Sequence, residues 1–103
     1  MQGHLLLTSS VAGRRPLPGS FYSVTKHAVT AMAENLRLEL RAAGDRIRVT
    51  SVEPGMTDTP FFDNRPQNAL AAEDIARAVM YAISQPAHVD VNEILVRPTA
   101  QQG

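Results

Sequence analysis

Tyr22 and Lys26 are the residues in this sequence whose types and spacing most clearly suggest chemistry. A separation of four places two side chains on one face of a helix, where they can interact. A free phenol ionises near pH ~10, which is too high for efficient proton transfer at neutral pH. A neighbouring ammonium favours the phenolate, and acid–base catalysis works best when the pKa of the group approaches the working pH. The pair therefore suits proton transfer to or from an alcohol oxygen.

Ser10 could act on the same oxygen through its hydroxyl group. The apolar run at residues 4–8 predicts a strand buried on both faces. Ser10 follows that strand and precedes a predicted helix, and ligands of open α/β sheets bind outside the carboxyl ends of strands. The Tyr-x-x-x-Lys spacing alone is also typical of an ordinary amphipathic helix surface, so both interpretations stand on these residues.

The helix that carries this pair is predicted over residues 21–43. An apolar stripe with helical spacing, which includes Val24, Met32 and Leu36, indicates this helix. Ser20 is the predicted N-cap, and Gly44 is placed to end the helix.

The remaining segments alternate between strand and helix patterns. The β-branched residues at 47–52 predict a second strand, the periodicity at 75–83 predicts a second helix, and residues 91–96 predict a third strand. Residues 56–71 contain two prolines and predict a long loop. The order β-α-β-α-β indicates an α/β fold with a parallel sheet, in which the first two strands are neighbours.

Composition limits the classes of function that this chain can have. With 103 residues it corresponds to one small domain, and 10 basic side chains balance 10 acidic ones. This balance does not favour nucleic acid or an anionic membrane as a partner. The chain has no cysteine, and its three histidines lack the spacing of a metal site. No segment resembles a signal peptide or a membrane span, so we expect a cytoplasmic protein.

Three motifs in succession resemble those of the classical short-chain dehydrogenase/reductase (SDR) family. T-S-S-V-A-G at residues 8–13 is similar to S-S-x-A-G, and Y-S-V-T-K at residues 22–26 is similar to Y-x-x-x-K. V-E-P-G-M-T-D-T at residues 52–59 is similar to P-G-x-x-x-T. The resemblance implies an NAD(P)-dependent oxidoreductase that acts on a small alcohol or carbonyl substrate. It also implies that the fold is Rossmann-type and that these are its last three strands.

The resemblance implies a role for each catalytic residue. Tyr22 would be the general acid/base, and Lys26 would favour its ionised form and hydrogen-bond the nicotinamide ribose. Ser10 would orient the substrate oxygen, with Ser9 as the rival for that role. Ser10 is preferred because the family's serine lies three residues before the glycine, which is Gly13 here.

The family's cofactor contacts carry over to the segment that follows the second strand. Pro54, Gly55 and Thr57 would line the nicotinamide, with the Thr57 backbone meeting the carboxamide. Thr59 would hydrogen-bond the carboxamide or the pyrophosphate. The Thr57 position is more often Val or Ile in the family, so its implied role rests on its backbone. The tail at residues 91–99 is similar to that of NADP-dependent bacterial members, which favours NADP over NAD.

The family's glycine-rich phosphate loop is not found in this sequence. We therefore expect residues 1–103 to be the C-terminal catalytic part of an SDR domain, inactive without an N-terminal dinucleotide-binding half. The resemblance also implies a homo-oligomer in the intact protein, through the helix at residues 21–43. Two alternatives remain: an extended-branch epimerase or dehydratase, and a non-catalytic folding or dimerisation fragment.

Overall fold

The structure is a computed structural model that describes residues 2–14, 21–58 and 68–103. Strands and helices alternate along the chain as the sequence predicts, and each boundary lies within a few residues of its predicted position. The elements are β1 (Gln2–Thr8), a 3-10 turn (Val11–Gly13), α1 (Tyr22–Ala42), β2 (Arg46–Pro54), α2 (Ala72–Ile83) and β3 (Glu93–Val96).

The strands form one parallel sheet with β2 in the centre. Thr8 aligns with Val52 across β1 and β2, and Val52 aligns in turn with Ile94 of β3. The predicted parallel pairing of the first two strands is therefore confirmed. Because all strands run the same way, the segments that follow β1 and β2 emerge at one edge of the sheet.

The two helices cover opposite faces of β2. Val49 and Ser51 line a small cavity together with Thr30 of α1. Arg48 belongs to the other face, and its guanidinium donates a 3.1 Å hydrogen bond to the Gln85 carbonyl just beyond α2. The core is therefore centred on β2, whose residues from Val49 to Glu53 are all buried.

The prediction that the first strand is buried on both faces is wrong for this chain. Leu5 and Leu6 point to opposite faces, and they are 43% and 39% exposed. β1 lies at the edge of the described sheet, while the helices pack mainly over β2. Its apolar side chains therefore remain partly uncovered.

The apolar stripe of α1 is only partly buried. Val24 is 63% exposed and Met32 is 50% exposed, whereas the buried residues of the helix are Ser23 and Ala33. Small and hydroxyl-bearing side chains allow α1 to approach the 3-10 turn closely, which turns the larger apolar residues outward. Gly44 ends the helix as predicted, with a left-handed φ of 79°.

The residue at the N-cap position of α1 is not the predicted one. Ser20 lies outside the described residues, and the residue that directly precedes the helix is Phe21, whose side chain makes no capping bond. In α2 the Asp74 carboxylate accepts a 2.8 Å hydrogen bond from the Ala71 backbone N–H. That bond satisfies one of the backbone donors at the start of the helix.

Candidate active site

Tyr22 and Lys26 lie together in the first turns of α1. The Lys26 ammonium is 5.6 Å from the centroid of the Tyr22 ring, which is within the range of a cation–π contact. Tyr22 is 46% exposed, and Lys26 is partly buried. Among the described residues no acceptor takes a hydrogen bond from this ammonium. The structure thus places the predicted pair on one helix face, with the cation available to a ligand.

Ser10 follows β1 and is buried. Its Oγ accepts a 3.1 Å hydrogen bond from the Ala12 backbone N–H and so caps the 3-10 turn. A hydroxyl that accepts one bond can still donate its own hydrogen, and no described residue accepts that hydrogen. Ser10 is therefore able to donate a hydrogen bond to a carbonyl or alcohol oxygen.

Ser9 has a different set of contacts. Its hydroxyl donates a 2.9 Å hydrogen bond to the Lys26 carbonyl oxygen and lies 2.8 Å from the Thr30 hydroxyl. These bonds tie the end of β1 to the backbone of α1. They give Ser9 a structural role and leave Ser10 as the serine with an available donor.

The 3-10 turn is held against α1 at two further points. The Ser23 hydroxyl donates a 2.8 Å hydrogen bond to the Ala12 carbonyl oxygen. Gly13 lies so close to the helix that an added Cβ would be 2.8 Å from the Lys26 carbonyl oxygen and would also collide with Ser9. Because the turn has no room to shift, Ser10 keeps a fixed position relative to the helix that carries Tyr22.

The end of β2 and the residues that follow it form a second part of the candidate site, at the same edge of the sheet. We call residues 54–57 the 54–57 loop. The Gly55 N–H donates a 2.6 Å hydrogen bond to the Val96 carbonyl, and the Thr57 hydroxyl donates to the Gly55 carbonyl at 2.9 Å.

Thr57 forms an isolated parallel bridge with Leu70. In this bridge the Leu70 N–H donates a 2.9 Å hydrogen bond to the Met56 carbonyl, and the Leu70 carbonyl accepts a 2.8 Å hydrogen bond from the Asp58 N–H. In a parallel bridge of this kind the central residue directs its own N–H and carbonyl away from the partner. Thr57 therefore presents both backbone groups away from Leu70, and no described residue bonds to them. Thr59, the remaining predicted cofactor contact, lies outside the described residues.

A family model for the short chain dehydrogenase matches residues 1–70 of this chain. The chain belongs to the short-chain dehydrogenase family. Human dehydrogenase/reductase SDR family member 11 is 44% identical over 115 aligned residues, which cover 96% of this chain and 44% of the human protein. An uncharacterized oxidoreductase of Staphylococcus epidermidis is 41% identical over 100 residues, which cover 93% of this chain and 43% of that protein. This chain spans less than half the length of these relatives.

Solved structures of short-chain dehydrogenases superimpose on most of the chain. Serine dehydrogenase from Escherichia coli matches with a TM-score of 0.82 and 34% identity, covering 97% of this chain and 42% of that one. A closed form of serine dehydrogenase complexed with NADP+ gives a TM-score of 0.83 at 30% identity, and the match covers 97% of this chain and 46% of that one. These matches confirm the Rossmann-type α/β fold that the motifs predict.

Glu53 is a buried carboxyl group that sequence reasoning did not single out. It lies next to the loop-forming Pro54, is 0% exposed, and has no hydrogen-bond partner for either carboxylate oxygen among the described residues. Burial raises the pKa of Glu53, the negative charge of Glu93 raises it further, and Arg14 partly opposes the shift. The signal in the sequence was a carboxylate directly after the β-branched run at residues 47–52. A buried carboxyl whose pKa is raised therefore lies directly before the 54–57 loop.

Residues 2–14, 21–58 and 68–103 contain no cluster of three or more potential metal-ligating side chains. Within the same ranges, no helix combines the length and the apolar character that crossing a membrane requires.

Proposed function

We propose that this chain is the C-terminal, catalytic part of an NAD(P)-dependent oxidoreductase that interconverts a small alcohol and the corresponding carbonyl compound. The observation that carries the proposal is the Tyr22–Lys26 pair, with the ammonium 5.6 Å from the phenol ring centroid in a chain of this family. The longer protein of which residues 1–103 would form the C-terminal part is called the full-length protein below.

In the proposed reaction Tyr22 transfers the proton. In the direction of carbonyl reduction its phenol donates to the substrate oxygen, and in alcohol oxidation the phenolate removes the hydroxyl proton. Ser10 donates a hydrogen bond to the same oxygen and thereby stabilises the charge that develops on it. Lys26 stabilises the phenolate by its positive charge. When bound, a nicotinamide dinucleotide supplies or accepts the hydride.

The residues present suit the nicotinamide end of such a cofactor. Lys26 would bind the ribose hydroxyls with its ammonium, to which no described residue is hydrogen-bonded. Pro54 and Gly55 would line the ring, and the outward-facing backbone of Thr57 matches the donor and acceptor of a carboxamide. Thr59 completes the proposed set on sequence grounds.

The cofactor is proposed to be NADP rather than NAD. The tail at residues 91–99 supports this choice, as do two similar structures in which NADP+ or a derivative is bound. One is the serine dehydrogenase complex, and the other is an alcohol dehydrogenase from the archaeon Thermococcus sibiricus complexed with 5-hydroxy-NADP, 27% identical with a TM-score of 0.82. Since the glycine-rich loop is not part of residues 1–103, the N-terminal half would hold the pyrophosphate.

The outward face of α1 supports a homo-oligomer of the full-length protein. Val24, Met32 and Leu38 are each at least half exposed on this helix. Apolar side chains concentrated on one helix are commonly buried by a protein partner. The proposed partners are thus a small-molecule substrate and further copies of the same protein, in the cytoplasm.

The test is a spectrophotometric assay of the full-length protein with NADPH and NADH against a panel of small alcohols and carbonyl compounds. The proposal expects net oxidation or reduction of the dinucleotide, faster with the NADP pair. Turnover of a sugar nucleotide with no net change in the dinucleotide would favour an epimerase or dehydratase instead. Absence of both activities and of dinucleotide binding would favour a non-catalytic role.

A further inference from the structure

The C-terminal tail folds back onto the 54–57 loop. After β3 the chain makes a turn in which the Gln101 N–H donates a 3.0 Å hydrogen bond to the Pro98 carbonyl. The turn brings the Gln101 side chain to the loop, where its Oε1 accepts a 2.7 Å hydrogen bond from the Met56 N–H. A side chain near the end of the chain is therefore bonded directly to the backbone between Gly55 and Thr57.

The same tail explains why the loop contains glycine at position 55. A Cβ built on Gly55 would be 3.1 Å from Cδ of Gln101, 3.3 Å from Cα of Arg97, and closer still to the Gln101 Oε1. Both separations are shorter than an ordinary van der Waals contact between carbon atoms. The tail thus packs against the bare backbone of Gly55.

Gln101 completes the set of bonds that hold Met56. The Met56 N–H is bound by Gln101 on one side, and the Met56 carbonyl is bound by the Leu70 N–H at 2.9 Å on the other. With both of its backbone groups fixed, the peptide that follows has a defined orientation. That peptide carries the N–H of Thr57, the group assigned above to the carboxamide.

We propose that Gln101 is a positioning residue for the nicotinamide: it fixes the 54–57 loop in the orientation that binds the carboxamide. This inference rests on the proposed function, because it assigns the loop to a nicotinamide cofactor. Gln101 acts through the Met56 peptide and does not touch the reacting atoms.

Gln101 anchors the loop to the tail through its side chain, so mutagenesis can remove this bond. The bonds from Gly55 to Val96 and from Met56 to Leu70 join backbone groups, which substitution leaves in place. Gln102 offers a matched control, because it is the same residue type at the adjacent position, is exposed, and makes no hydrogen bond to a described residue. Gln101→Glu is the conservative variant, since it keeps an oxygen acceptor on a side chain of the same length.

The experiment compares Gln101→Ala, Gln102→Ala and the wild-type full-length protein in two measurements. The first is hydrogen exchange at the Met56 amide, which should accelerate in Gln101→Ala and stay unchanged in Gln102→Ala and in Gln101→Glu. The second is steady-state kinetics, in which Gln101→Ala should raise KM for the dinucleotide by about two- to tenfold, the range of one ordinary hydrogen bond. KM for the substrate at saturating dinucleotide and the pH profile of kcat should not change.

Each outcome decides between a positioning role and its alternatives. Unchanged KM for the dinucleotide in an active Gln101→Ala protein would overturn the inference while leaving the proposed function intact. General loss of amide protection across β2 and α1 would also overturn it, because Gln101 would then serve overall stability. If the wild-type protein neither binds nor turns over a nicotinamide dinucleotide, the proposed function fails and this inference fails with it.

Discussion

The Ser9 hydroxyl donates a 2.9 Å hydrogen bond to the carbonyl oxygen of Lys26. This bond joins the end of the first strand to the helix that carries the candidate ammonium. The peptide backbone at Lys26 is held further by the Thr30 hydroxyl, which donates to the same carbonyl at 3.1 Å. The paired serines of the S-S-x-A-G motif therefore differ in their contacts: Ser9 bonds to the backbone of α1, whereas Ser10 caps the 3-10 turn.

Gly13→Ala should destabilise the fold. Its methyl group would be 2.5 Å from the Thr30 hydroxyl and 2.8 Å from the Lys26 carbonyl, and such overpacking typically costs about 1–3 kcal/mol. Thermal or urea unfolding measures the loss. Gly3→Ala is the matched control, because its nearest neighbour would be Ile47 Cγ1 at 4.0 Å. Equal stability of the two variants would contradict the close contact.

Lys26→Ala in the full-length protein should impair both cofactor binding and turnover. A hydrogen bond from a charged group contributes roughly 1.5–3 kcal/mol, so KM for the dinucleotide should rise by about ten- to a hundredfold. kcat should fall as well, because the phenolate loses its positive neighbour. Arg77→Ala, which removes an exposed cation from α2, controls for loss of positive charge. Wild-type kinetics in Lys26→Ala would make Lys26 an ordinary surface residue.

Glu53 should make the fold less stable as the pH rises. Its pKa is raised above the ordinary 4.5 by burial first, and then by Glu93. The folded state therefore keeps this proton at pH values where the unfolded chain has released it. By linkage, the free energy of unfolding falls with pH from about 4.5 up to the raised pKa.

Glu53→Gln should remove this part of the pH dependence. Urea unfolding across a pH series measures the difference between the two proteins, in which the other carboxyl groups cancel. We expect the stability of Glu53→Gln relative to wild type to increase as the pH rises above 4.5. Glu39→Gln, which alters an exposed carboxyl on α1, should show no such trend. Parallel curves for Glu53→Gln and wild type would show that Glu53 ionises equally in both states.

The 103-residue chain by itself should bind dinucleotides weakly. Tight binding in this fold uses the N–H groups of a glycine-rich turn and a helix N-terminus to hold the pyrophosphate, and residues 1–103 contain no such turn. Orientation of the reactants is then lost, which can account for roughly 7–11 kcal/mol of a barrier. Calorimetry with NADPH and NADH checks the expectation, and a micromolar dissociation constant would contradict it.

The exposed edge of β1 should also favour self-association, which sedimentation would detect.

Local sequence patterns were sufficient to predict the strands and helices and the proximity of Tyr22 to Lys26. Helical spacing places those two side chains together wherever the helix packs, and alternating strand and helix patterns specify the parallel sheet. The face that α1 buries could not be read in this way. Its apolar stripe includes Val24 and Met32, which are exposed, whereas the buried residues of the helix are the small Ser23 and Ala33.

Contacts between distant segments were beyond sequence reasoning. Gln101 bonds to Met56 across 45 positions of the chain, and no periodicity or motif relates the two. Glu53 is likewise buried in a strand that contacts the 3-10 turn and pairs with β3, two segments distant from each other in the sequence. Such relationships follow from the assembled fold, not from any one segment.

The most direct test of the proton-transfer assignment is the kcat of the full-length Tyr22→Phe protein. General acid–base groups supply typically about 10²–10⁴-fold in rate, so we expect a loss of this size with dinucleotide affinity nearly unchanged. Tyr81→Phe is the matched control, because Tyr81 is 58% exposed on α2 and should keep full activity. A Tyr22→Phe protein that retains most of its kcat would contradict the assignment of Tyr22 as the general acid/base.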